Sequence, residues 1–181
     1  THYLNDSAND PVMNRIRAQK LRNSEEDKVK IFFVPSYLNG DDGEFNMPYY
    51  DLLVGMDLTA FPSYYEPWGY TPLESLAFKV PTITTTLAGF GLWVKEHYNM
   101  NHPGIEVIHR EDGDASNVAT AIAEWVKNYT QVGETEMQKD RDNAKDVSRI
   151  ALWDNLINYY KQAYTIALNQ VSERLKDLPA N

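Results

Sequence analysis

The sequence predicts an α/β domain built on a doubly wound parallel sheet. Three short runs, at 58–61, 81–86 and 104–109, are predicted as strands, and the first is apolar with the length and flanking residues of a buried strand. Helical patterns lie between and after these runs, and strands that alternate with helices at this spacing form parallel sheets with helices on both faces. A chain of 181 residues is long enough to bury one such core.

The chain before the first of these strands has weaker signals. Residues 1–14 are predicted as loop and 14–22 as a short helix with a basic face. The apolar run 29–34 predicts a strand that ends at Pro35. Residues 49–56 then predict a second helix.

The acidic run 39–44 contains Asp41 and Asp42, which could hold a metal ion or form a flexible turn. Aspartate and glycine together are typical of turns, and this favours the turn. The four histidines are His2, His97, His102 and His109. No two of them have the i, i+4 spacing of metal ligands on a helix. We therefore expect neither a metal ion nor another cofactor.

The stretch after the first strand, residues 61–74, combines a loop rich in proline and glycine with a helix start. Thr71 is predicted as the N-cap, with Pro72 at the first helical position and Glu74 completing a capping box. This helix is predicted to end near Phe78. A strand, a tight loop and a helix N-terminus together form an anion site, because unpaired N–H groups and the positive end of the helix dipole face the same point.

The rest of the chain continues the alternation of strands and helices. The further predicted elements are a loop at 87–91, a helix at 92–97, an amphipathic helix at 114–129 and a helical region from 134 to about 175. In open α/β sheets, ligands bind beyond the carboxyl ends of the strands. Glu66, Gly69 and the segment Gly89–Gly91 fall at such ends.

Composition limits the function classes. The net charge of −9 argues against non-specific binding to nucleic acid or to anionic membranes, since both need a positive field. No apolar run approaches the length of a transmembrane helix, and the N-terminus does not look like a signal peptide. The absence of cysteine excludes disulfides and thiol catalysis and fits a cytoplasmic protein. The missing initiator methionine suggests a piece of a longer chain.

Residues Tyr64–Glu74, with the sequence Tyr-Tyr-Glu-Pro-Trp-Gly-Tyr-Thr-Pro-Leu-Glu, resemble the signature of eukaryotic-type glycogen synthases, glycosyltransferase family 3. The Glu-x7-Glu spacing alone is shared by many retaining glycosyltransferases, whereas the whole stretch is specific. The resemblance covers roughly Thr1 to Ala167 and thins after His97. Other matching segments follow in the same order as in the family: Asp10-Pro11, Asn14-x-Ile-Arg17, Val29-Lys-Ile, Met47-x-Tyr49 and Thr84-Thr85-x-Leu-x-Gly-Phe-Gly91.

The resemblance implies that residues 1–181 are the Rossmann-like, nucleotide-sugar-binding C-terminal domain of a two-domain GT-B glycosyltransferase, with helices at about 134–175 packed on it. The N-terminal domain would be absent from this chain. The full enzyme would transfer α-glucose from UDP-glucose to the non-reducing 4-OH of an α-1,4-glucan such as glycogen, with retention. The isolated chain would bind nucleotide weakly and would not turn over. Self-association stays an open option.

The resemblance also implies roles for single residues. Glu66 would lie beside the transferred glucose, bind its hydroxyls and stabilise positive charge at the anomeric carbon. Glu74 would bind the ribose, although a capping box alone explains a glutamate there. Tyr49 would stack on the uracil, or pack into the core. The remaining assignments are pyrophosphate binding by the backbone N–H groups of Gly69, Tyr70, Thr71 and Leu73, and a glucose or acceptor pocket, or a simple turn, at Gly89, Phe90 and Gly91.

Two features depart from the family pattern. The arginine and lysine that neutralise the leaving phosphates precede this stretch in the family, and no substitute is evident in the sequence. The arginine-rich helix that senses glucose 6-phosphate aligns with Lys139–Arg149, where acidic and basic residues alternate, so we expect an absent or altered switch. Two other functions stay open: a related retaining GT-B glycosyltransferase with another donor or a small acceptor, and a non-catalytic glucan-binding module.

Overall fold

A three-stranded parallel sheet lies in the larger of two compact units of the chain. The computed structural model describes residues 3–98 and 104–176. The two units are divided in the sequence between Gly55 and Met56. The mixed α/β class is therefore confirmed, and the predicted sheet belongs to the second unit alone.

The first unit contains two short helices, α1 (Pro11–Ala18) and α2 (Tyr49–Leu53). Helix α1 begins before its predicted start, because the Asp10 carboxylate accepts the Met13 N–H at 2.8 Å and a proline occupies the first helical position. The helix also ends before the predicted boundary at residue 22. The position of the Asp10 cap therefore decides where this helix begins, and the basic residues from which the helix was predicted do not.

The predicted strand at 29–34 is wrong. Its apolar side chains Val29 and Phe32 are 58% and 68% exposed. The Asn23 side chain donates to the Ile31 carbonyl at 2.8 Å and accepts the Ile31 N–H at 2.9 Å. A side chain thus takes the bonds that a neighbouring strand would make, and the described residues offer this run no partner strand.

The acidic run at 39–44 forms a turn that its own carboxylate holds. Asp42 accepts the backbone N–H groups of Glu44, Phe45 and Asn46 at 2.9, 2.8 and 3.1 Å. Burial raises the pKa of Asp42, but these hydrogen bonds outweigh it, so that the pKa lies below its usual value. The predicted turn is confirmed at this position.

Over its described residues, the second unit carries the sheet and five helices. In chain order these elements are β1 (Thr59–Ala60), α3 (Tyr70–Ala77), β2 (Thr82–Thr85), α4 (Gly89–His97), β3 (Ile105–Ile108), α5 (Ala115–Tyr129), α6 (Glu134–Ile150) and α7 (Trp153–Lys176). All strands are parallel in the order β1-β2-β3, with Thr59 paired to Thr82 and Thr82 to Ile105. Within the described ranges the strand order follows the chain and shows no reversal of the doubly wound kind.

Helices cover both faces of the sheet, as predicted. Alternate residues of β3 point to opposite faces. Ile105 and Val107 join one buried cluster, whose other members come from α3, α4, α6 and the residue after α6: Leu76, Phe90, Val94, Ala144, Val147 and Ala151. Ile108 points the other way and packs with Ile83 of β2 and Val118 of α5.

Glycines shift the start of two helices from their predicted positions. Helix α3 begins at Tyr70, with Gly69 as the N-cap in the left-handed region at φ 99°, and no side chain caps it. The capping box predicted from Thr71 and Glu74 is therefore wrong. Helix α4 begins with the segment Gly89–Gly91, which forms its first turn and not a loop.

The helical region predicted from 134 to about 175 is two helices. They are separated by Ala151 and Leu152, where the Ala151 N–H donates to the Ser148 carbonyl at 3.1 Å. The Asn155 side-chain amide donates to the Arg149 carbonyl at 3.0 Å, which also accepts the Leu152 N–H at 3.3 Å. Over the residues that the structure describes, no helix is long and apolar enough to cross a membrane.

Candidate active site

Three loops leave the sheet at the same edge, because parallel strands all end on one side. They are residues 61–69 after β1, which we call the motif loop, 86–88 after β2 and 109–114 after β3. Residues 66–74, which include both predicted glutamates, span the end of the motif loop and the start of α3. The structure thus gathers most of the predicted site residues at the edge where open α/β sheets bind ligands.

Backbone hydrogen bonds hold the motif loop against the loop after β2. The Glu66 N–H donates to the Leu87 carbonyl at 3.0 Å, and the Gly89 N–H donates to the Glu66 carbonyl at 3.0 Å. The Phe90 N–H donates to the Trp68 carbonyl at 2.6 Å. The backbone of Glu66 is therefore fixed through both of its polar groups, while its side chain stays free to act.

Trp68 joins the motif loop to the core. Its ring centroid lies 5.7 Å from that of Phe90 and 5.8 Å from that of Trp93. Phe90 is fully buried, so this contact connects the loop to the cluster that covers one face of the sheet. Aromatic pairs at such separations contribute about 0.5–1.5 kcal/mol beyond their buried area. Trp68 therefore holds the motif loop against the core.

Close backbone contacts explain Gly89 and Gly91. A Cβ on Gly89 would lie 2.1 Å from the Pro67 carbonyl oxygen, and one on Gly91 would lie 2.4 Å from the Thr85 carbonyl oxygen. Phe90 between them is fully buried in the core. Packing is thus sufficient to explain all three residues, and their assignment to a glucose or acceptor pocket stays a prediction.

The start of α3 presents unpaired backbone donors. Among the described residues, none of the backbone hydrogen bonds outside the helices uses the N–H of Gly69, Tyr70, Thr71 or Leu73, and Pro72 has no N–H. The N–H groups of a first helical turn point along the axis and out of the helix end, where the dipole is positive. Since Tyr70 and Thr71 are exposed, this end can accept an anion.

The two glutamates flank this helix start and differ in exposure. Glu66 is exposed, and Glu74, on the second turn of α3, is half-buried. A Cβ added to Gly69 would lie 3.4 Å from the Cγ of Glu66, so the Glu66 side chain lies against the N-cap. Within the described part of the chain, neither carboxylate has a hydrogen bond or ion pair. A ligand at the helix start would meet the free Glu66 carboxylate.

Tyr49 belongs to the first unit. It is the first residue of α2, its N–H donates to the Leu38 carbonyl at 2.9 Å, and its ring lies 5.3 Å from that of Tyr50. The side chain is half-buried. Stacking on the uracil therefore stays a prediction.

A groove of about 470 Å³ runs beside the start of α3. The motif loop, α3, α4, α7 and the turn before α7 contribute its lining, which is aromatic and aliphatic: Trp68, Tyr70, Leu73, Trp93, Ala151, Trp153, Leu156, Tyr159 and Tyr160. None of these side chains carries a charge at neutral pH. Tyr70 thus borders both the free N–H groups and an uncharged groove.

Basic residues of α6, predicted as the counterpart of a phosphate-sensing helix, contact their own chain. Arg141 donates to the Met56 carbonyl at 3.1 Å and pairs with Asp57 at 2.9 Å, both just before β1. Asp142 of the same helix pairs with Lys79 at 2.7 Å. These contacts tie α6 to the amino edge of the sheet, opposite the motif loop. An altered glucose 6-phosphate switch stays a prediction.

The described histidines contact side chains and carbonyls of the chain, and His97 reaches the Tyr159 hydroxyl of α7 at 3.3 Å. The His97 ring pairs through Nδ1 with the Trp93 carbonyl at 2.8 Å, and His109 pairs with Glu111 at 3.0 Å. His2 and His102 lie outside the described residues. Over the described ranges no three His, Asp or Glu side chains are grouped to hold a metal ion. Metal independence stays a prediction.

Arg110, at the end of β3, is a site neighbour that the sequence did not reveal. Its Nη1 donates to the Pro62 carbonyl of the motif loop at 2.7 Å, and its guanidinium carbon lies 5.0 Å from the centroid of the Tyr64 ring. The contact joins residues 48 positions apart, which no local pattern indicates. The one available signal is the position of Arg110 directly after a strand end.

Comparison with known proteins gives one consistent result. The family model described as Glycogen synthase matches residues 1–179. The glycogen [starch] synthase isoform 1 of Saccharomyces cerevisiae is 31% identical over 98% of this chain and 26% of its own length. The glycogen [starch] synthase of Caenorhabditis elegans is 34% identical over 91% of this chain and 25% of its own length.

A mammalian relative shows the same coverage. The liver glycogen [starch] synthase of Mus musculus is 30% identical over 94% of this chain and 24% of its own length. The chain therefore spans about a quarter of the length of the curated relatives it matches.

Proposed function

The chain belongs to the glycogen synthase family, and we propose that it forms the donor-binding part of a retaining glucosyltransferase. The complete enzyme transfers α-glucose from UDP-glucose to the 4-OH at the non-reducing end of an α-1,4-glucan. The sheet and its helices are then the Rossmann-like C-terminal domain of a two-domain GT-B fold. The names of the relatives support the reaction, and the parallel α/β unit is compatible with the fold.

The observation that carries the proposal is the open start of α3. The N–H groups of Gly69, Tyr70 and Thr71, which make no backbone hydrogen bond outside the helices in the described structure, lie near a solvent-exposed carboxylate at the carboxyl edge of a parallel sheet. A sugar nucleotide needs this pair of features, since it joins a diphosphate, which the N–H groups and the helix dipole bind, to a sugar that becomes cationic. Glu66, Tyr70 and Thr71 are exposed, as this function requires, whereas Gly69 is buried.

In this proposal the diphosphate oxygens accept hydrogen bonds from the backbone N–H groups of Gly69, Tyr70, Thr71 and Leu73. Two of these residues are exposed, and Gly69 reaches its left-handed conformation without steric cost because it lacks a Cβ. The Thr71 hydroxyl is also free to donate, because it does not cap the helix. The leaving diphosphate is stabilised by these donors as its charge grows.

The two carboxylates act on the sugars. Glu66 binds hydroxyls of the transferred glucose and stabilises the oxocarbenium-like charge at its anomeric carbon. Its fixed backbone and unpaired side chain suit this task, since the carboxylate needs no release from another partner. Glu74 accepts from the ribose hydroxyls, and the absence of a capping box leaves its oxygens available for this. Tyr49 stacks on the uracil.

The experiment is substitution of Glu66 in the full-length enzyme. Glu66→Gln keeps the size and removes the charge, so turnover of UDP-glucose with glycogen should fall by about 10³-fold, the size of a lost electrostatic contact to a transition state. UDP affinity should change by less than about 3-fold, within ordinary context effects. Glu124→Gln, at an exposed position of α5, is the matched control and should leave both values unchanged.

A donor panel completes the test. UDP-glucose should be used at least about tenfold better than ADP-glucose or GDP-glucose, because tenfold corresponds to only 1.4 kcal/mol of discrimination. Near-normal turnover of Glu66→Gln would remove Glu66 from the chemistry. Equal use of all donors would instead favour a related transferase with a different donor preference.

A further inference from the structure

We propose that Arg110, with Tyr64 and Asp112, is a positioning group for Glu66. The three side chains join the loop after β3 to the motif loop and fix the conformation from which Glu66 acts. This assignment rests on the proposed function, because it assumes that Glu66 contacts the reacting sugar.

The contacts converge on the segment just before Glu66. Arg110 Nη1 donates to the Pro62 carbonyl at 2.7 Å, and its guanidinium stacks over the Tyr64 ring at 5.0 Å. The Tyr64 hydroxyl donates to Asp112 Oδ1 at 2.8 Å. Arg110 thus contacts Pro62 and Tyr64, and Asp112 contacts Tyr64; we call this set of contacts the grip. Glu66 lies two positions after Tyr64.

Arg110 itself is fixed to the end of β2. Its N–H donates to Thr86 Oγ1 at 2.9 Å, and the same hydroxyl donates to the Arg110 carbonyl at 3.3 Å. The Thr86 N–H in turn donates to the Ile108 carbonyl at 3.0 Å. Arg110 therefore anchors the motif loop to the end of β2 in the sheet.

Backbone hydrogen bonds hold the two ends of this part of the motif loop, from the Phe61 N–H to the Ile83 carbonyl at 2.8 Å and from the Glu66 N–H to the Leu87 carbonyl at 3.0 Å. Ser63 accepts from Thr85 Oγ1 at 2.7 Å through its carbonyl, while Tyr65 is 81% exposed. Beyond Glu66 the loop is anchored differently, by the packing of Trp68 on the core. The side chain of Glu66 has no partner among the described residues, so its placement depends on the backbone on either side. Without the contacts of Arg110 and Asp112, Glu66 would keep its backbone hydrogen bonds to Leu87 and Gly89, but the segment before it would lose the side-chain contacts that set its conformation.

The grip should matter more for turnover than for folding. Its members are exposed or half-buried, and exposed charged contacts contribute little to stability. The buried Arg110 Nε has no hydrogen-bond partner in the described structure, which costs stability and reduces the net gain further. Catalysis is more sensitive, since displacement of a catalytic group by about 1 Å can cost about 10²-fold in rate.

The test uses the full-length enzyme and the variant Arg110→Met, which keeps much of the length and removes the donors and the charge. We expect kcat to fall by about 10- to 100-fold while KM for UDP-glucose changes by less than about 3-fold. Arg110→Lys, which keeps a cation over Tyr64, should recover most of kcat. Arg174→Met, on α7, is the matched control and should behave as wild type.

A double-mutant cycle tests the rest of the group. Tyr64→Phe and Asp112→Ala should each lower kcat by about 3-fold, and their combination by no more than either alone, because each removes the same hydrogen bond. The raised pKa of the Tyr64 hydroxyl, caused by its bond to Asp112 and the charge of that carboxylate, keeps it a donor at neutral pH. Full additivity would show that the two residues act separately and would contradict the group.

Proteolysis gives a readout that does not depend on activity. Chymotrypsin cleaves after tyrosine, so cleavage after Tyr64 or Tyr65, located by mass spectrometry, should be at least about 5-fold faster in Arg110→Met and unchanged in Arg174→Met. A wild-type enzyme that transfers no glucose would overturn the proposed function, and this cleavage rate would still decide for or against the grip. The positioning role is overturned by unchanged kcat and cleavage, by a rise in KM alone, or by loss of activity in proportion to a lowered melting temperature.

Discussion

The amino and carboxyl edges of the sheet differ in whether their polar groups are hydrogen-bonded within the chain. At the amino edge, buried polar groups are satisfied within the chain: Thr59 Oγ1 lies 2.6 Å from Ser75 Oγ and 2.8 Å from Thr82 Oγ1. At the carboxyl edge, the first N–H groups of α3 are left unpaired and exposed beside Glu66. Unmade hydrogen bonds are costly when they are buried and useful when a ligand can complete them.

The difference separates fold from function in this chain. The amino edge is closed by hydroxyls and by the pairing of Arg141 with Asp57, so its residues serve stability. The carboxyl edge has a fixed backbone but free side chains and free donors, which is the condition for binding. Substitutions at the two edges should therefore differ in whether they change stability alone or binding and turnover as well.

The largest expected effect is at the carboxyl edge, in Gly89→Ala. The new Cβ would lie 2.1 Å from the Pro67 carbonyl oxygen, so the motif loop must move. We expect a loss of about 3 kcal/mol in the free energy of unfolding, at the upper end for overpacking, together with loss of turnover. Denaturant unfolding and the glucosyl-transfer assay measure the two effects.

Gly133→Ala is the control for this change, because nothing lies within 4 Å of a Cβ at Gly133. It should alter the unfolding free energy by less than about 0.5 kcal/mol and leave turnover intact. If Gly89→Ala matched this control, the motif loop would not be pinned as the structure places it.

The next effect is at the amino edge, in Ser75→Ala. The Ser75 hydroxyl is fully buried, contacts Thr59 Oγ1 and donates to the Val80 carbonyl at 3.1 Å. Its removal should cost about 1–2 kcal/mol of unfolding free energy, as expected when a buried partner is left unsatisfied. UDP affinity should not change, in contrast to substitutions at the carboxyl edge.

Ser116→Ala, at an exposed position of α5, controls for the loss of a hydroxyl and should be neutral in thermal unfolding. A fall in UDP affinity of Ser75→Ala, measured by calorimetry, would mean that the two edges are coupled and that the contrast between them does not hold.

The smallest effect is a gain in stability. Burial raises the pKa of Asp140, the charge of Glu136 raises it further, and the charge of Lys139 partly opposes this rise. The Asp140 Oδ1 has no hydrogen-bond partner in the described structure. The folded state then holds its proton more tightly than the unfolded state, so ionisation at neutral pH destabilises the fold. Asp140→Asn should stabilise the protein by about 1 kcal/mol at pH 7.

The sign of the pH dependence distinguishes this cause from improved packing. The gain of Asp140→Asn should persist above the raised folded-state pKa and vanish as the pH falls below the ordinary pKa of an aspartate, where both states are protonated. Thermal unfolding of wild type and variant between pH 3 and pH 8 measures it. A gain that does not depend on pH would refute the burial of an ionised carboxylate.

The sequence was sufficient for the parts of the fold that local patterns control. The predicted strands β1, β2 and β3 and the amphipathic helix α5 are all confirmed within two residues or so of their predicted ends. It failed where tertiary contacts decide. The run 29–34 has strand composition but no neighbour to pair with, and the Asn23 side chain takes the bonds instead.

The site shows the same division. Residues 66–74 were found because a strand, a Pro- and Gly-rich loop and a helix start are visible in sequence. The helix start itself was misplaced, since a left-handed Gly69 replaces the expected Thr71 cap. The glycines at 89 and 91 suggest a loop until the Pro67 and Thr85 carbonyls are seen against them. Arg110 reaches the motif loop across 48 positions, and only the fold reveals that contact.

The most direct test of the account is amide hydrogen exchange of the full-length enzyme with and without saturating UDP. UDP should slow exchange in a peptide covering residues 69–73, at the start of α3, and should leave peptides from α6 unchanged. Bound UDP with no change of exchange at 69–73 would contradict the claim that the start of α3 holds the diphosphate.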